Sequence, residues 1–355
     1  MKRNSTNIGF IGFGRVVEWQ INQMKGLNIS IKFVFDICDN KLNTAREIIP
    51  EAKLYNNIEE LFNNKSLDNI DYVVIATPSG SHFNIAQKIV ENKSWKIIIE
   101  KPTFLYFDHF LIAKNWRNKI VPIFQNRYNK SVIKAKKLLE NNSIGEITHA
   151  SLALDWERPQ RYYDLASWRG TWLNDGGVST NQGIHYFDIA RHLLGSFSHV
   201  NAKMRRLAVN IECEDYLNAS FEMVNGIPLD VRMTTAIRHI EEEASLVING
   251  SLGRIKLHGI CCNLLDCNTK EISLKSFGEN VEMAYGYGHK TFFELISSSC
   301  DNENLKLPNL TESFETMQFI YSSFSSAISG KESVPKINYY DVPLGKQIKE
   351  HINFE

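Results

Sequence analysis

Short runs in which nearly every residue is apolar recur along the first third of the chain, at 8–11, 31–35, 72–76, 96–99 and 120–124, with a shorter one at 53–55. Between them lie segments with apolar residues three and four apart. Strands that are apolar on both faces belong to a sheet covered on both faces, which here means parallel strands with helices above and below. Right-handed crossovers then wind such a sheet into a doubly wound Rossmann domain. Helices are expected over 16–24 and 40–49, the second closed by Pro50, which cannot continue the hydrogen-bond ladder. Asn57, three residues before Glu60, has the form of a capping box for the next helix.

From about 200 to 274 the period falls to two, with Leu229, Val231 and Met233 alternating with Asp230, Arg232 and Thr234. Asn225-Gly226 and Asn249-Gly250 read as hairpin turns, so this stretch predicts an antiparallel sheet with one covered face. A last helix carries Phe314, Met317, Tyr321, Phe324 and Ile328 at helical spacing and stops at Gly330. The expected fold class is α/β: an N-terminal Rossmann domain over 1–124, then an α+β domain over 125–355 with a large, mostly antiparallel, open-faced sheet. Two domains also suit 355 residues at about 150 residues each.

Charge changes the picture by exclusion. Forty basic residues balance forty acidic ones, which argues against a nucleic-acid binder. No apolar run approaches the ~20 residues of a membrane span. The residues after Lys2 and Arg3 form neither the apolar core nor the cleavage site of a signal peptide. Six cysteines include no C-x-x-C pair, and Cys261, Cys262 and Cys267 have no His or Cys partners at zinc spacing. No metal is expected. The cysteines read as buried small residues in a reducing cytoplasm.

The candidate chemistry begins at Gly12-Phe13-Gly14-Arg15-Val16-Val17, between the first strand and its helix. Gly12 permits the tight turn, Gly14 lets the backbone approach a pyrophosphate, and the helix start offers N–H groups and a positive dipole end. Val17 stands where the motif's third glycine would be. Asp36 closes the second strand, where a carboxylate accepts from ribose hydroxyls and repels a 2′-phosphate. NAD is therefore expected rather than NADP, with Gly12, Phe13, Gly14, Arg15, Val16 and Asp36 around it.

Glu100-Lys101-Pro102 ends the fifth strand on the same sheet edge, where ligands bind in open α/β sheets. A solvated Lys before a turn is the plain alternative. Asn181 and His185 are four apart on a helix expected to run to Leu194 and stop at Gly195, so they share a face. An imidazole there can take a proton from an alcohol, although a lone helical His is more often structural. Asp188 and His192 extend that face in structural roles. Between the domains lies an unusual segment. Residues 155–172 hold three arginines, three tryptophans and two tyrosines. Arg forks grip phosphate or carboxylate and aromatic faces stack on bases and sugars, so Arg158, Tyr163, Arg169 and Trp172 are candidate substrate contacts; a packed lid or an oligomer contact is the alternative. Arg127-Tyr128 adds a possible anion contact, and the Tyr285 to His289 segment a loop that could close over a site through His289.

Gly9-Phe-Ile-Gly12-Phe-Gly14-Arg15, Ala76-Thr77-Pro78-Ser79 with His82, Glu100-Lys101-Pro102 and Asn181-Gln-Gly-Ile-His185, in that order along essentially the whole chain, resemble the Gfo/Idh/MocA oxidoreductases (glucose-fructose oxidoreductase and inositol dehydrogenase). Trp168-Arg-Gly-Thr-Trp172 and Asp175-Gly-Gly177 resemble the family's bacterial nucleotide-sugar branch. The resemblance implies an NAD-dependent dehydrogenase with Lys101 and His185 at its active site, and Thr77, Pro78, Ser79 and His82 lining the cofactor site. Glu100, Lys101, Trp168 and Arg169 complete the expected cofactor contacts. Many members carry Asp four residues before the His. Asn181 here cannot support an imidazolium as a carboxylate would, but it agrees with the nucleotide-sugar branch.

The resulting expectation is hydride transfer to NAD from a sugar hydroxyl carbon, C3 of a UDP-linked N-acetylaminosugar uronate, in surface-polysaccharide synthesis. His185 takes the proton, Lys101 orients the oxygen, and Lys101, Arg127, Tyr128, Arg158, Tyr163, Arg169, Trp172, Asn181, His185 and His289 contact the sugar nucleotide. A free polyol or monosaccharide is the rival substrate, and a non-catalytic NAD sensor the rival from another class. The open sheet face should be covered, most simply in a homodimer or homotetramer.

Overall fold

The computed structural model describes residues 5–238, 243–298, 305–336, 338–348 and 352. The chain divides into two compact units, one made of Met1–Phe104, His109–Ile123 and His289–Glu312, the other of Leu105–Asp108, Phe124–Gly288 and Ser313–Glu355. A single cut after 124 therefore leaves residues 289–312 with the second stretch of sequence, whereas the compact unit they join is the first.

The first sheet is built from β1 (Thr6–Ile11), β2 (Ile29–Phe35), β3 (Lys53–Tyr55), β4 (Tyr72–Ile75), β5 (Lys96–Ile99) and β6 (Ile120–Pro122), interleaved with helices α1 (Arg15–Met24), α2 (Asp39–Ile48), α3 (Ile58–Asn63), α4 (His82–Asn92) and α5 (Phe107–Ala113). Its order is β3-β2-β1-β4-β5-β6 and every pairing is parallel. The apolar runs are buried as their patterning requires: Ile8, Phe10, Val73, Val74, Ile97 and Ile98 are all inaccessible to solvent. Asn57 caps α3, its side chain accepting from the amides of Glu59 and Glu60 at 2.9 and 3.4 Å. Gly9 makes room for the buried Phe33 ring of the neighbouring strand, since a Cβ there would lie 2.0 Å from it.

The second unit holds α6 (Lys130–Glu140), β7 (Ile147–Asp155), α7 (Gln160–Asp164), α8 (Val178–Asn181), α9 (Ile184–Leu194), β8 (Phe197–Arg205), β9 (Tyr216–Met223), β10 (Pro228–Thr234), β11 (Glu243–Gly250), β12 (Gly253–His258), β13 (Leu264–Thr269) and β14 (Ser273–Gly278). Further along the chain come α10 (Gly288–Ile296), which from His289 on belongs to the first unit, and α11 (Leu310–Ser329), which from Ser313 on belongs to the second and is stopped by Gly330 at φ +65°. The eight-stranded sheet runs β14-β13-β12-β11-β7-β10-β9-β8, antiparallel except where β10 meets β7. Period-two patterning is borne out along β9, where Leu217, Ala219, Phe221 and Met223 are buried and Asn218, Ser220 and Glu222 exposed. On the covered face Phe187 of α9, Phe197 and Phe221 of the sheet and Phe319 of α11 pack with ring centroids 4.6–6.1 Å apart. Two details differ from the sequence reading. The central strand β7 was not expected. Asn249 and Gly250 end β11 rather than form its turn, and Gly250 lies so close to Ile144 that a Cβ would sit 2.2 Å from its carbonyl oxygen.

Gly9→Ala should cost about 1–3 kcal/mol of stability in chemical denaturation, because a core ring with no free volume has to move; an unchanged midpoint would show that Phe33 has room to yield.

Candidate functional site

In the first unit the glycine loop has the shape a dinucleotide phosphate needs. Gly12 takes φ +93°, and a Cβ there would lie 2.5 Å from the carbonyl oxygen of Ala76. Gly14 has no atom within 4 Å of a would-be Cβ, and α1 opens behind it with no side-chain cap. That leaves the positive end of a ten-residue helix facing open space. Asp36 closes β2 and ties the loop to it. Its two carboxylate oxygens accept from the amides of Phe13 at 2.7 Å and Cys38 at 2.9 Å, leaving lone pairs for ribose hydroxyls. Arg15 is exposed and Val16 half-buried. Phe13 corrects the expectation: its ring is wholly buried and its amide is spent on Asp36, so it supports the loop from within.

Thr77, Pro78 and Ser79 follow β4, where the Thr77 and Ser81 hydroxyls pair at 2.7 Å. His82 was expected to line the cofactor site. It is fully buried instead, with Nδ1 3.0 Å from the Pro102 carbonyl oxygen and Nε2 2.9 Å from that of Thr77. The ring straps the Thr77-Pro78 turn to the Lys101-Pro102 turn. Burial pulls its pKa below the ordinary histidine value, against the opposing pull of the two carbonyls and Glu100.

Glu100 is likewise buried rather than placed on the surface of the loop. One oxygen accepts from Gln20 of α1 and the other from the Lys101 amide at 3.1 Å. His289, expected as a substrate contact on a flexible loop, lies fully buried in α10 within this unit, its Nε2 3.9 Å from Glu100 Oε1. Burial pushes the Glu100 carboxyl up, but His289 and the Lys101 ammonium outweigh it and hold the group below the usual carboxylate range. Lys101 is half-buried and joined to Pro102 by a cis peptide bond.

In the second unit, Arg127 is removed from the anion contacts. Its guanidinium is buried and makes two 2.6 Å bonds to Asp188, which also accepts from Thr316 at 3.0 Å. A buried carboxylate of this kind needs the arginine it faces. Tyr128 is buried with it. Trp172 is not an exposed stacking face, since it packs edge-on to Phe324 and is 1% exposed. Tyr163 is buried, its hydroxyl 3.3 Å from that of Thr235, and burial raises its phenol pKa.

Arg158 and Arg169 form an alternating stack with aromatic rings. Arg158 lies 4.8 Å from the Trp156 ring centre and 5.3 Å from that of Tyr162; Arg169 lies 4.1 Å from Tyr162 and 5.3 Å from Trp168. Rings on which a guanidinium stacks hold it in one plane while leaving its N–H edges for an anion. Among the described residues, the buried Nε and Nη1 of Arg169 have no hydrogen-bond acceptor.

Asn181 and His185 do not share one regular helix. Asn181 ends α8, the Gly183 amide reaches back to the Val178 carbonyl at 2.7 Å, and His185 lies in the first turn of α9. Gly183 is required at this break, where a Cβ would meet the Met233 sulfur at 2.4 Å. Asn181 donates to Asp175 at 2.6 Å, and the other Asp175 oxygen accepts from the Gly170 amide at 2.9 Å. A second carboxylate at 181 would repel Asp175, which explains why Asn suits this chain.

The residues 212–215, Glu-Cys-Glu-Asp, were not singled out from the sequence. Glu212 accepts from the Trp172 amide, Glu214 from the Ser179 amide, and Asp215 from the amides of Leu207, Ala208 and Val209 at 2.6–3.2 Å. The signal available was an acidic run opening a strand with a buried face. Burial raises the Glu214 carboxyl to about 7 despite the Ser179 amide.

Two stability measurements test these assignments. Arg127→Met should destabilise the protein by about 3–5 kcal/mol, because it strands a buried carboxylate; denaturation curves matching the wild type would return Arg127 to the candidate anion contacts. For Glu214, the folded-state pKa is raised, so its contribution is complete at low pH and is lost as pH climbs from about 4.5 to about 7. Glu214→Gln should remove that decline and gain up to about 3 kcal/mol over the wild type at pH 8, read from denaturation midpoints across pH.

Comparison with known proteins places this arrangement. Residues 6–111 match the oxidoreductase family with an NAD-binding Rossmann fold, and residues 132–256 match the GFO/IDH/MocA C-terminal domain. The chain is 23% identical to an uncharacterised oxidoreductase, YhhX, of Escherichia coli, over 76% of this chain and 74% of that protein. It is 24% identical to the myo-inositol 2-dehydrogenase of Thermotoga maritima, over 53% of this chain and 54% of that protein. Among solved structures, the WlbA dehydrogenase of Bordetella pertussis, determined in complex with NADH and UDP-GlcNAcA, shares the fold with a TM-score of 0.81 at 24% identity, covering 94% of this chain and 99% of that one. The glycine loop with Asp36, the Lys101-Pro102 turn and both domain matches make this chain an NAD-binding oxidoreductase of the Gfo/Idh/MocA family.

Proposed function

We propose that the protein oxidises a ring hydroxyl of a nucleotide-linked sugar, C3 of a UDP-linked N-acetylaminosugar uronate, with NAD as acceptor, in making sugars for surface polysaccharide. The observation that carries the substrate class is the stacked Arg158–Tyr162–Arg169 segment, in which Arg169 keeps two buried N–H groups for an anion. A diphosphate or a uronate carboxylate can accept from these donors in charge-assisted hydrogen bonds. The fold shared with a dehydrogenase solved with UDP-GlcNAcA supports the same choice.

In this reading NAD, when bound, supplies the hydride acceptor. Gly12, Gly14 and Asp36 hold it, with the Thr77-Pro78-Ser79 turn beside them. His185 takes the hydroxyl proton, and the Lys101 ammonium orients the oxygen and stabilises its developing negative charge. Asn181, fixed by Asp175, orients the sugar. Glu100 and His82 act behind Lys101 by fixing the turn that carries it. The second reading, a free polyol or monosaccharide, is favoured by the likeness to myo-inositol 2-dehydrogenase. A second copy of the chain covering the open sheet face belongs to either reading.

NADH formation should be measurable with UDP-N-acetylglucosaminuronate and much weaker with myo-inositol and free monosaccharides; the reverse preference selects the second reading. Lys101→Ala and His185→Ala should each lower kcat by about 10²–10⁴-fold while NAD still binds, and unchanged turnover in both would remove them from the chemistry.

A further inference from the structure

The segment that carries Asn181 and His185 is pinned from one direction by Asp175 and from another by Glu214. The Glu214 main-chain carbonyl accepts from the Val178 amide at 3.0 Å, and its Oε1 accepts from the Ser179 amide at 2.9 Å. Both amides belong to the first turn of α8. Gly177 presses against the same residue: a Cβ there would lie 2.0 Å from the Glu214 carbonyl oxygen and 2.4 Å from Oε2. The side chain is wholly buried, and Oε2 has no hydrogen-bond partner among the described residues. Burying a carboxyl group this way costs stability that an apolar residue would not. Shape filling alone therefore does not account for it.

We propose that Glu214 is a positioning residue, which holds α8 so that Asn181 and the following turn of α9 present His185 in its working orientation. The path is short and rigid. Three residues separate Asn181 from His185, and the intervening Gly183 has no free space against Met233 and the Ser179 backbone. A shift at Ser179 is thus passed on, and a displacement of about 1 Å at a reacting group can cost about a hundredfold in rate. This rests on the reading of His185 as the proton acceptor.

The test compares Glu214→Ala, Glu214→Asp and Glu214→Gln in the full-length protein. Gln keeps an oxygen for the Ser179 amide, whereas Asp falls short of it by one methylene. In Ala and Asp variants kcat should fall at least about tenfold, with NAD affinity within about twofold of wild type, and the His185 ring resonances, assigned through His185→Asn, should move. Gln should restore both kcat and resonances. If Ala does not fold, Asp carries the comparison. Unmoved His185 resonances in Ala or Asp, or equal impairment in Asp and Gln, would overturn the positioning role. If no sugar nucleotide is turned over by the wild type, the substrate reading fails while the ring resonances still decide the role of Glu214.

Discussion

A carboxylate taken out of water has to be met by hydrogen-bond donors, and beside the candidate site of this protein many of those donors are main-chain amides of the loops themselves. Glu100 takes the amide of Lys101, Asp175 that of Gly170, Glu214 that of Ser179, and Asp215 those of Leu207, Ala208 and Val209; the half-buried Asp36 and the exposed Glu212 take the amides of Phe13, Cys38 and Trp172 in the same way. The longer-range bonds among them, Phe13 to Asp36, Trp172 to Glu212 and Ser179 to Glu214, tie a loop or helix start to a segment distant in sequence. Loops with few apolar side chains would otherwise wander. Here their conformation is set by electrostatics in a low-dielectric interior, where such bonds are strongest.

The same logic sorts the arginines. Arg127 is consumed by a carboxylate and belongs to the scaffold. Arg169 is held between the aromatic faces of Tyr162 and Trp168 instead, which fix its guanidinium and leave its Nε and Nη1 without an acceptor among the described residues. A net charge of zero for the whole chain conceals this division. Local pairing decides which cations remain available for a ligand.

Legibility in the sequence is a matter of range. The parallel sheet, the glycine loop and Asp36 lie close together in the chain and carry strong local patterns, so their arrangement could be read directly. The strand β7 escaped because its outward residues, Ser151 and Ala153, are too small to mark a polar face against Leu152 and Leu154. At the break between Asn181 and His185, the residue that leaves no room for a side chain on Gly183 is Met233, far along the chain. His289 beside Glu100, and Glu214 beneath α8, are likewise juxtapositions that only the folded chain brings about. Arg127 and Trp172 stand out in the sequence for their chemistry, which shows reactivity and conceals the partners that bury them.

The first compact unit takes in His289–Glu312 as well as the opening stretch of the chain. It is therefore discontinuous along the polypeptide, with most of the second unit spelled out in between. On the ribosome, the imidazole that faces Glu100 emerges only after the eight-stranded sheet has been synthesised. The coenzyme-binding half starts first but is completed only after that sheet, and the other half is completed later still by Ser313–Glu355, so the two halves are synthesised interleaved rather than one after the other.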